Sequence, residues 1–455
     1  MNETPGVRGA KGHRLLIGLG VLVLAGVVAL FLFLGPGPMA FSQGPKVELK
    51  DFHASDPSGV PASLAQTSLV QRGEYLAKAA DCLVCHTAKG GPAYAGGFAF
   101  VLPFGTLYST NITPDPTTGI GHYSDEQFLA AMHRGIRRDG ANLYPAMPYT
   151  SYTYITDADA LAIKAYLFTL VPINLPNKPN DLTFPFNQRW AMGIWSALFN
   201  ANERFKPHTD KSAQWNRGAY LAEALAHCGE CHTPRNLAFA LNNRKKFGGA
   251  LTAGWRAYNI SGDSASGVGA WSDEDLISYL SLGHAPHHGS AAGPMGEAVD
   301  ESFSQLAGED IHAIVAYLRS VPASASSEVP ATLAPAAPDS HKEGLAAAES
   351  RGKQVYAGAC ASCHGWSGVS DISDYATLTG ARAVNDPHGT NVAQIVLAGM
   401  RRSSPGAVTA MPGFGASYSD SDIAAVTNYV TTRFGSSGSH LRAADIGKMR
   451  RETAQ

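Results

Sequence analysis

Cysteine is scarce in this 455-residue chain: the six copies all fall inside three pentapeptides, which leaves none for a disulfide. Net charge is nearly absent as well. Lys and Arg total 35 against 37 Asp and Glu, a formal −2 at neutral pH, with no acidic tail. That balance excludes a global basic field for nucleic acid, so partner choice must rest on local patches. The chain also lacks a dinucleotide-binding glycine fingerprint and any candidate constellation of nucleophile and base. Substrate chemistry is therefore expected on a partner chain.

What is present is a motif repeated three times: Cys82-Leu83-Val84-Cys85-His86, Cys228-Gly229-Glu230-Cys231-His232 and Cys360-Ala361-Ser362-Cys363-His364. Cys-x-x-Cys-His is the pattern of covalent c-type haem attachment. Two thiols three residues apart on one helical turn can each form a thioether to a vinyl group of one haem, and the adjacent histidine falls under the iron. A zinc site or a thioredoxin-like redox pair would use Cys-x-x-Cys too. Neither needs histidine directly after the second cysteine in every copy, and a redox motif has no reason to occur three times. The motifs predict three covalently bound haems c, held by Cys82 and Cys85, Cys228 and Cys231, and Cys360 and Cys363. His86, His232 and His364 are the expected iron ligands.

The expected architecture is all-α: an N-terminal transmembrane helix followed by three tandem cytochrome c domains. Leu15 to Leu34 is a 20-residue apolar run without charge, preceded by Arg8, Lys11 and Arg14. It reads as an anchor that leaves residues 1–14 in the cytoplasm and exports the rest. The chain is accordingly expected as a single-pass protein of the inner membrane with its haem domains on the periplasmic side. A cleaved signal peptide ending near Ala40 competes with this reading. Residues 35–67 read as a tether, 68–180, 212–322 and 346–435 as the three domains, 323–345 as an Ala/Pro/Ser linker and 436–455 as a polar tail.

Each motif follows a segment that begins with Arg-Gly, at Arg72-Gly73, Arg217-Gly218 and Arg351-Gly352. The first two domains share more: Asn111-Ile112-Thr113 matches Asn259-Ile260-Ser261, and Ser124-Asp125-Glu126 matches Ser272-Asp273-Glu274. Ser124 and Ser272 read as helix N-caps, with Gln127 completing a capping box. Each domain closes with an amphipathic helix, over Asp157 to Leu170, Gly308 to Ser320 and Asp420 to Arg433. Residues 181–211 contain an aromatic stretch from Phe184 to Phe199, suited to a membrane surface or partner, or to a linker helix packed on the first two domains.

Methionine opposite histidine is the ligation of high-potential electron-transfer haems. Met147 in Tyr144-Pro145-Ala146-Met147-Pro148 and Met411 in Ala410-Met411-Pro412-Gly413 are the candidates in domains one and three, each in an expected loop. Met295 in Gly293-Pro294-Met295-Gly296 is the candidate in domain two, where His284, His287 and His288 compete as nitrogen ligands.

Over roughly residues 68–435 the chain resembles the three-haem cytochrome c subunits of membrane-bound alcohol, aldehyde and gluconate dehydrogenases of acetic-acid-type bacteria. The resemblance is carried by Arg72-Gly73-Glu74-Tyr75-Leu76, Thr106-Leu107-Tyr108-Ser109-Thr110-Asn111-Ile112-Thr113-Pro114-Asp115, Tyr144-Pro145-Ala146-Met147-Pro148-Tyr149 and the three haem motifs. It implies electron transfer from a periplasmic catalytic subunit, of molybdenum or quinoprotein type, through three haems to ubiquinone. Phe186-Asn187-Gln188-Arg189-Trp190 with Trp195 looks like the version beside molybdenum-containing aldehyde dehydrogenases, which implies an iron-sulfur subunit as a further partner. Two alternatives stand beside it: a multi-haem peroxidase or reductase with one open iron, and a tethered shuttle to a terminal oxidase.

Overall fold

The computed structural model describes residues 17–26, 28–29, 61, 63, 65, 67–324, 346–404 and 407–453. Three helix pairs frame the chain. We label them α1 (Leu69–Ala79) with α2 (Asp157–Leu167), α3 (Ala213–Tyr220) with α4 (Gly308–Ser320), and α5 (Ala346–Ala359) with α6 (Asp420–Phe434). Serine or threonine starts several of them: Ser68 caps α1 in a full capping box, Thr156 caps α2, and Ser419 caps α6 in a second box. Ser124 and Gln127 form the expected box on Asp125–Arg134, and Ser272 caps Asp273–Leu282. Each side-chain oxygen satisfies a backbone N–H that the first turn leaves without an intrahelical acceptor.

The repeated Arg-Gly has a packing cause. A Cβ on Gly73, Gly218 or Gly352 would run into the backbone of Ala162, Ala313 or Ala425 on the paired helix. Only a residue without a side chain lets the two helices cross this closely. The arginine before it ties the same crossing electrostatically: Arg72 to Asp159, Arg217 to Asp310 and Arg351 to Asp422, each aspartate three residues before the alanine. In the first two units the clamp also crosses between units. Tyr75 Oη donates to Asp310 Oδ2 and Tyr220 Oη to Asp159 Oδ2, both at 2.6 Å. The exchange is reciprocal, as in a two-fold interface. Gln354 stands at the corresponding place in the third unit, so no phenol occupies that position there.

Two expectations are corrected. The chain is not all-α: four small antiparallel sheets lie among its described residues. Ala99–Leu102 pairs with Gly105–Tyr108, which pairs with Asp181–Leu182, and Ala250–Thr252 pairs with Trp255–Ala257. Two further pairs are His284–Ala285 with Gly289–Ser290 and Met400–Ser404 with Ala407–Met411. The Ala250–Ala257 hairpin turns through Ala253 and Gly254, both at positive φ, the geometry that two-residue hairpin loops favour. Strands of two to five residues carry too short a pattern to stand out in a sequence.

The second correction concerns the anchor, and with it the single-pass placement in the inner membrane. Among the described residues, no helix is long and apolar enough to cross a membrane. Helical backbone is described at 17–26 and 28–29. Gly18, Gly20 and Gly26 lie within it, each costing about 1 kcal/mol of helix propensity relative to Ala. The remainder of 15–34, the 1–14 segment, most of the 35–67 tether and positions 325–345 of the linker lie outside the described residues.

The aromatic stretch forms the helix Ala191–Phe199, which lies between the first two units. Trp195 stacks edge-on against Tyr149 and donates from Nε1 to Ala238 O at 2.7 Å, while Phe184, Trp190 and Ile194 remain exposed. At the C-terminus, Ala443–Thr453 is helical and buries Ile446 completely, with Arg450 paired to Asp420 of α6.

Candidate haem sites

Each pentapeptide forms a single turn at the foot of the first helix of its unit. In all three the histidine N–H donates to the carbonyl of the first cysteine, four residues back: His86 to Cys82 at 3.1 Å, His232 to Cys228 at 3.0 Å and His364 to Cys360 at 2.9 Å. That bond puts both cysteines and the histidine on one turn. Asp81 enters the first motif, and His227 the second, at positive φ, which breaks the preceding helix and turns the motif across its end.

The three imidazoles are held alike. His86 Nδ1 lies 2.7 Å from Thr110 O, His232 Nδ1 2.6 Å from Tyr258 O, and His364 Nδ1 2.6 Å from Ala376 O. A carbonyl can only accept, so Nδ1 carries the hydrogen and Nε2 keeps its lone pair. This is how metal-ligating histidines are usually oriented. Burial pushes all three imidazoles below their ordinary pKa, His232 to about 4, so the neutral ligand form holds at physiological pH.

The accepting carbonyls are themselves fixed, which explains the Asn-Ile-Thr/Ser repeat. Asn111 follows Thr110, and its Oδ1 accepts from Thr113 N at 2.9 Å while its Nδ2 donates to Ile173 O at 2.7 Å. Asn259 follows Tyr258 and repeats both bonds, to Ser261 N at 2.8 Å and Ser324 O at 2.7 Å. The third unit builds its carbonyl on the short 3-10 turn Asp374–Ala376 instead.

The cysteines fit thioethers better than metal thiolates. Burial pushes the Cys82 and Cys228 thiols up to about 12 and the Cys231 and Cys360 thiols up to about 11. Such surroundings penalise a thiolate, the form that binds zinc, whereas a thioether has no charge to bury. Among the described residues, no three His, Cys, Asp or Glu side chains are gathered so as to hold a metal ion.

The first two motifs lie close together. Tyr152 Oη donates to Ala80 O at 2.7 Å, just ahead of the first motif, and its ring faces His227, just ahead of the second, at 5.5 Å. Glu230, inside the second motif, accepts from Thr150 and Ser151 of the first unit at 3.1 Å each.

The methionines occupy three different settings. Met147 lies in the expected turn, its N–H on Tyr144 O, half-buried against the core. Met295 is not in a loop but in the first turn of the helix Gly293–Glu301, also packed on the core. Met411 ends the strand Ala407–Met411, opposite Met400. Of the competing histidines, His284 has Nδ1 2.9 Å from Ser290 Oγ, its ring stacked on Tyr375 and its Nε2 buried with no partner, while His288 stacks on Trp271 with ring centroids 3.7 Å apart. Sequence reasoning overlooked Tyr258 of the second unit itself, and the buried Arg382 and Arg402, which enter that unit's surroundings from the third.

Comparisons with known proteins agree with this geometry. Residues 70–170 match the cytochrome c family model, and 347–430 match that of cytochrome c oxidase, cbb3-type, subunit III. The chain is 41% identical to the fructose dehydrogenase cytochrome subunit of Gluconobacter japonicus over 411 residues, 86% of this chain and 84% of that protein. It is 38% identical to the gluconate 2-dehydrogenase cytochrome c subunit of Pantoea cypripedii over 413 residues, 86% of this chain and 92% of that one. With the cytochrome c subunit of the quinone-dependent alcohol dehydrogenase of Gluconobacter oxydans it shares 36% over 405 residues, 85% of this chain and 83% of that one. A chain with these cytochrome c turns and this similarity along most of its length belongs to the family of cytochrome c subunits of dehydrogenase complexes, electron-transfer proteins with covalently bound haem c.

Proposed function

We propose that the chain carries three haems c, one in each of the units 68–180, 212–322 and 346–435, and relays electrons from a dehydrogenase catalytic subunit to ubiquinone. The observation that carries this reading is the threefold recurrence of one arrangement: a histidine four residues after the first cysteine with Nδ1 bonded to a backbone carbonyl and Nε2 free. Cys82, Cys85, Cys228, Cys231, Cys360 and Cys363 would hold the porphyrins, and His86, His232 and His364 the irons. Met147, Met295 and Met411 would complete the ligation. Each haem supplies a one-electron couple, and the chain's own residues orient the ligands and exclude water.

The catalytic partner is of the molybdenum or quinoprotein class, with an iron-sulfur subunit in the former case. Support for a fixed partner comes from the relatives, several of which are dehydrogenase subunits by name. The test is to purify the native complex without oxygen, add the partner's substrate, and follow the haem bands before and after a soluble ubiquinone. Reduction by substrate and reoxidation by the quinone are expected. Haems that no co-purifying dehydrogenase reduces, and that a terminal oxidase alone reoxidises, would point to a shuttle instead.

A further inference from the structure

Four cationic side chains are buried among the described residues: Arg217, Lys246, Arg382 and Arg402. Three have a carboxylate within ion-pair distance, Asp310 for Arg217, Glu223 for Lys246 and Asp300 for Arg402. Arg382, at 6% exposure, has none among the described residues. Its Nη2 donates to Ser266 O, its guanidinium lies 4.6 Å from the Tyr258 ring centroid, and its Nε is buried with no acceptor. The carboxylate in its vicinity, Asp386, is committed to Arg256 and to the Tyr258 hydroxyl, each at 3.3 Å. A buried charge with only neutral partners is costly, and proteins pair such charges. Burial draws this guanidinium down to about 10. The structure therefore contains a cation, with a hydrogen to donate, that wants an anion.

Its position says which anion. Arg382 belongs to the third unit, but these partners belong to the second: Ser266 and Tyr258, with His288 O accepting its backbone N–H at 3.0 Å. Tyr258 is the residue whose carbonyl holds His232. The Trp271 indole N–H, on the ring stacked with His288, is likewise buried with no acceptor. A haem brings two propionate carboxylates to such a place.

We propose that Arg382 reaches from the third unit into the second to bind a propionate of the second unit's haem, and so raises that haem's potential. The inference rests on the haem assignment of Cys228, Cys231 and His232. A cation beside the haem favours the less positive reduced iron, so removing it lowers the potential.

The test uses full-length holoprotein, as wild type, R382Q and R382K, with haem counted by intact mass and midpoints read by spectroelectrochemical titration. In R382Q the haem count should hold while one midpoint falls by about 59 mV, a tenfold change in a one-electron equilibrium. The other two should stay, and R382K should recover at least half of the loss. The midpoint that moves should differ from the one that M411A moves. Unchanged midpoints in R382Q, or movement of the M411A midpoint, would overturn the proposal. If R382Q does not mature, resonance Raman of R382K against wild type decides: an altered propionate bending band at one haem supports the contact, and identical bands overturn it. A wild-type chain lacking haem on the second motif would overturn the haem assignment itself, which mass reads separately.

Discussion

Replacing Asp310 by alanine tests how the units are joined. In the folded chain Arg217 Nε and Nη2 reach the two Asp310 oxygens at 2.7 and 2.6 Å, and Tyr75 of the first unit donates to Oδ2 at 2.6 Å. The pair is 3% and 1% exposed. Alanine would strand a buried guanidinium and take the acceptor from Tyr75, at a cost of about 3–5 kcal/mol. For a cooperative unit of 150–250 residues, where each kcal/mol moves the midpoint by about 2–4 °C, that is roughly 6–20 °C. The third unit supplies the control. Arg351 and Asp422 occupy the same repeat position at 51% and 18% exposure, and an exposed pair is worth about 0–1 kcal/mol. Thermal unfolding of holoprotein, followed by far-ultraviolet circular dichroism, should therefore show a large drop for D310A and a small one for D422A. Equal shifts would refute the argument that burial, and not the repeat, sets the value of the clamp.

Other expectations follow from the same contacts. G218A should destabilise by about 1–3 kcal/mol through overpacking, because its Cβ meets the Ala313 backbone; urea unfolding reads this. Replacing Met147, Met295 or Met411 by alanine should open one iron, lower one midpoint and allow carbon monoxide to bind the reduced protein. Carbon monoxide binding by the wild type would favour a peroxidase or reductase with an open site. His133 is buried, and burial together with Arg204 lowers its pKa to about 4, against an opposing pull from Asp157. Its folded pKa lies below its unfolded one, so its share of stability is full above about 6.5 and is lost as pH falls toward 4. H133N should flatten that part of the stability profile, measured as urea midpoint against pH.

Much of the framework was legible because it is local. The three motifs, the capping box at Ser124 and the closing helices each lie within a few residues of their own signal, whereas the box at Ser68 was not read. The Arg-Gly and Asn-Ile-Thr/Ser repeats were visible as repeats, but their causes were not. One is a helix crossing with Ala162 or Ala313, some ninety residues away, and the other is a carbonyl aimed back at a histidine. The short strands carry no period long enough to read, and the apolar run at 15–34 measures hydropathy alone, while no helix among the described residues is long and apolar enough to cross a membrane. Met295 was put forward as a ligand from its place after the motif, and it sits on a helix because Pro294 is well placed in a first turn. Arg382 and Arg402 gave no signal at all. Only the fold carries them into the second unit.

The central claim is one covalent haem in each of three units, and intact mass under denaturing conditions, with haem quantitation on the same sample, tests it most directly. Three haems per fully matured chain are expected, with the loss of one when Cys82 and Cys85, Cys228 and Cys231, or Cys360 and Cys363 are replaced together. Two or fewer in the mature wild-type chain would contradict the account.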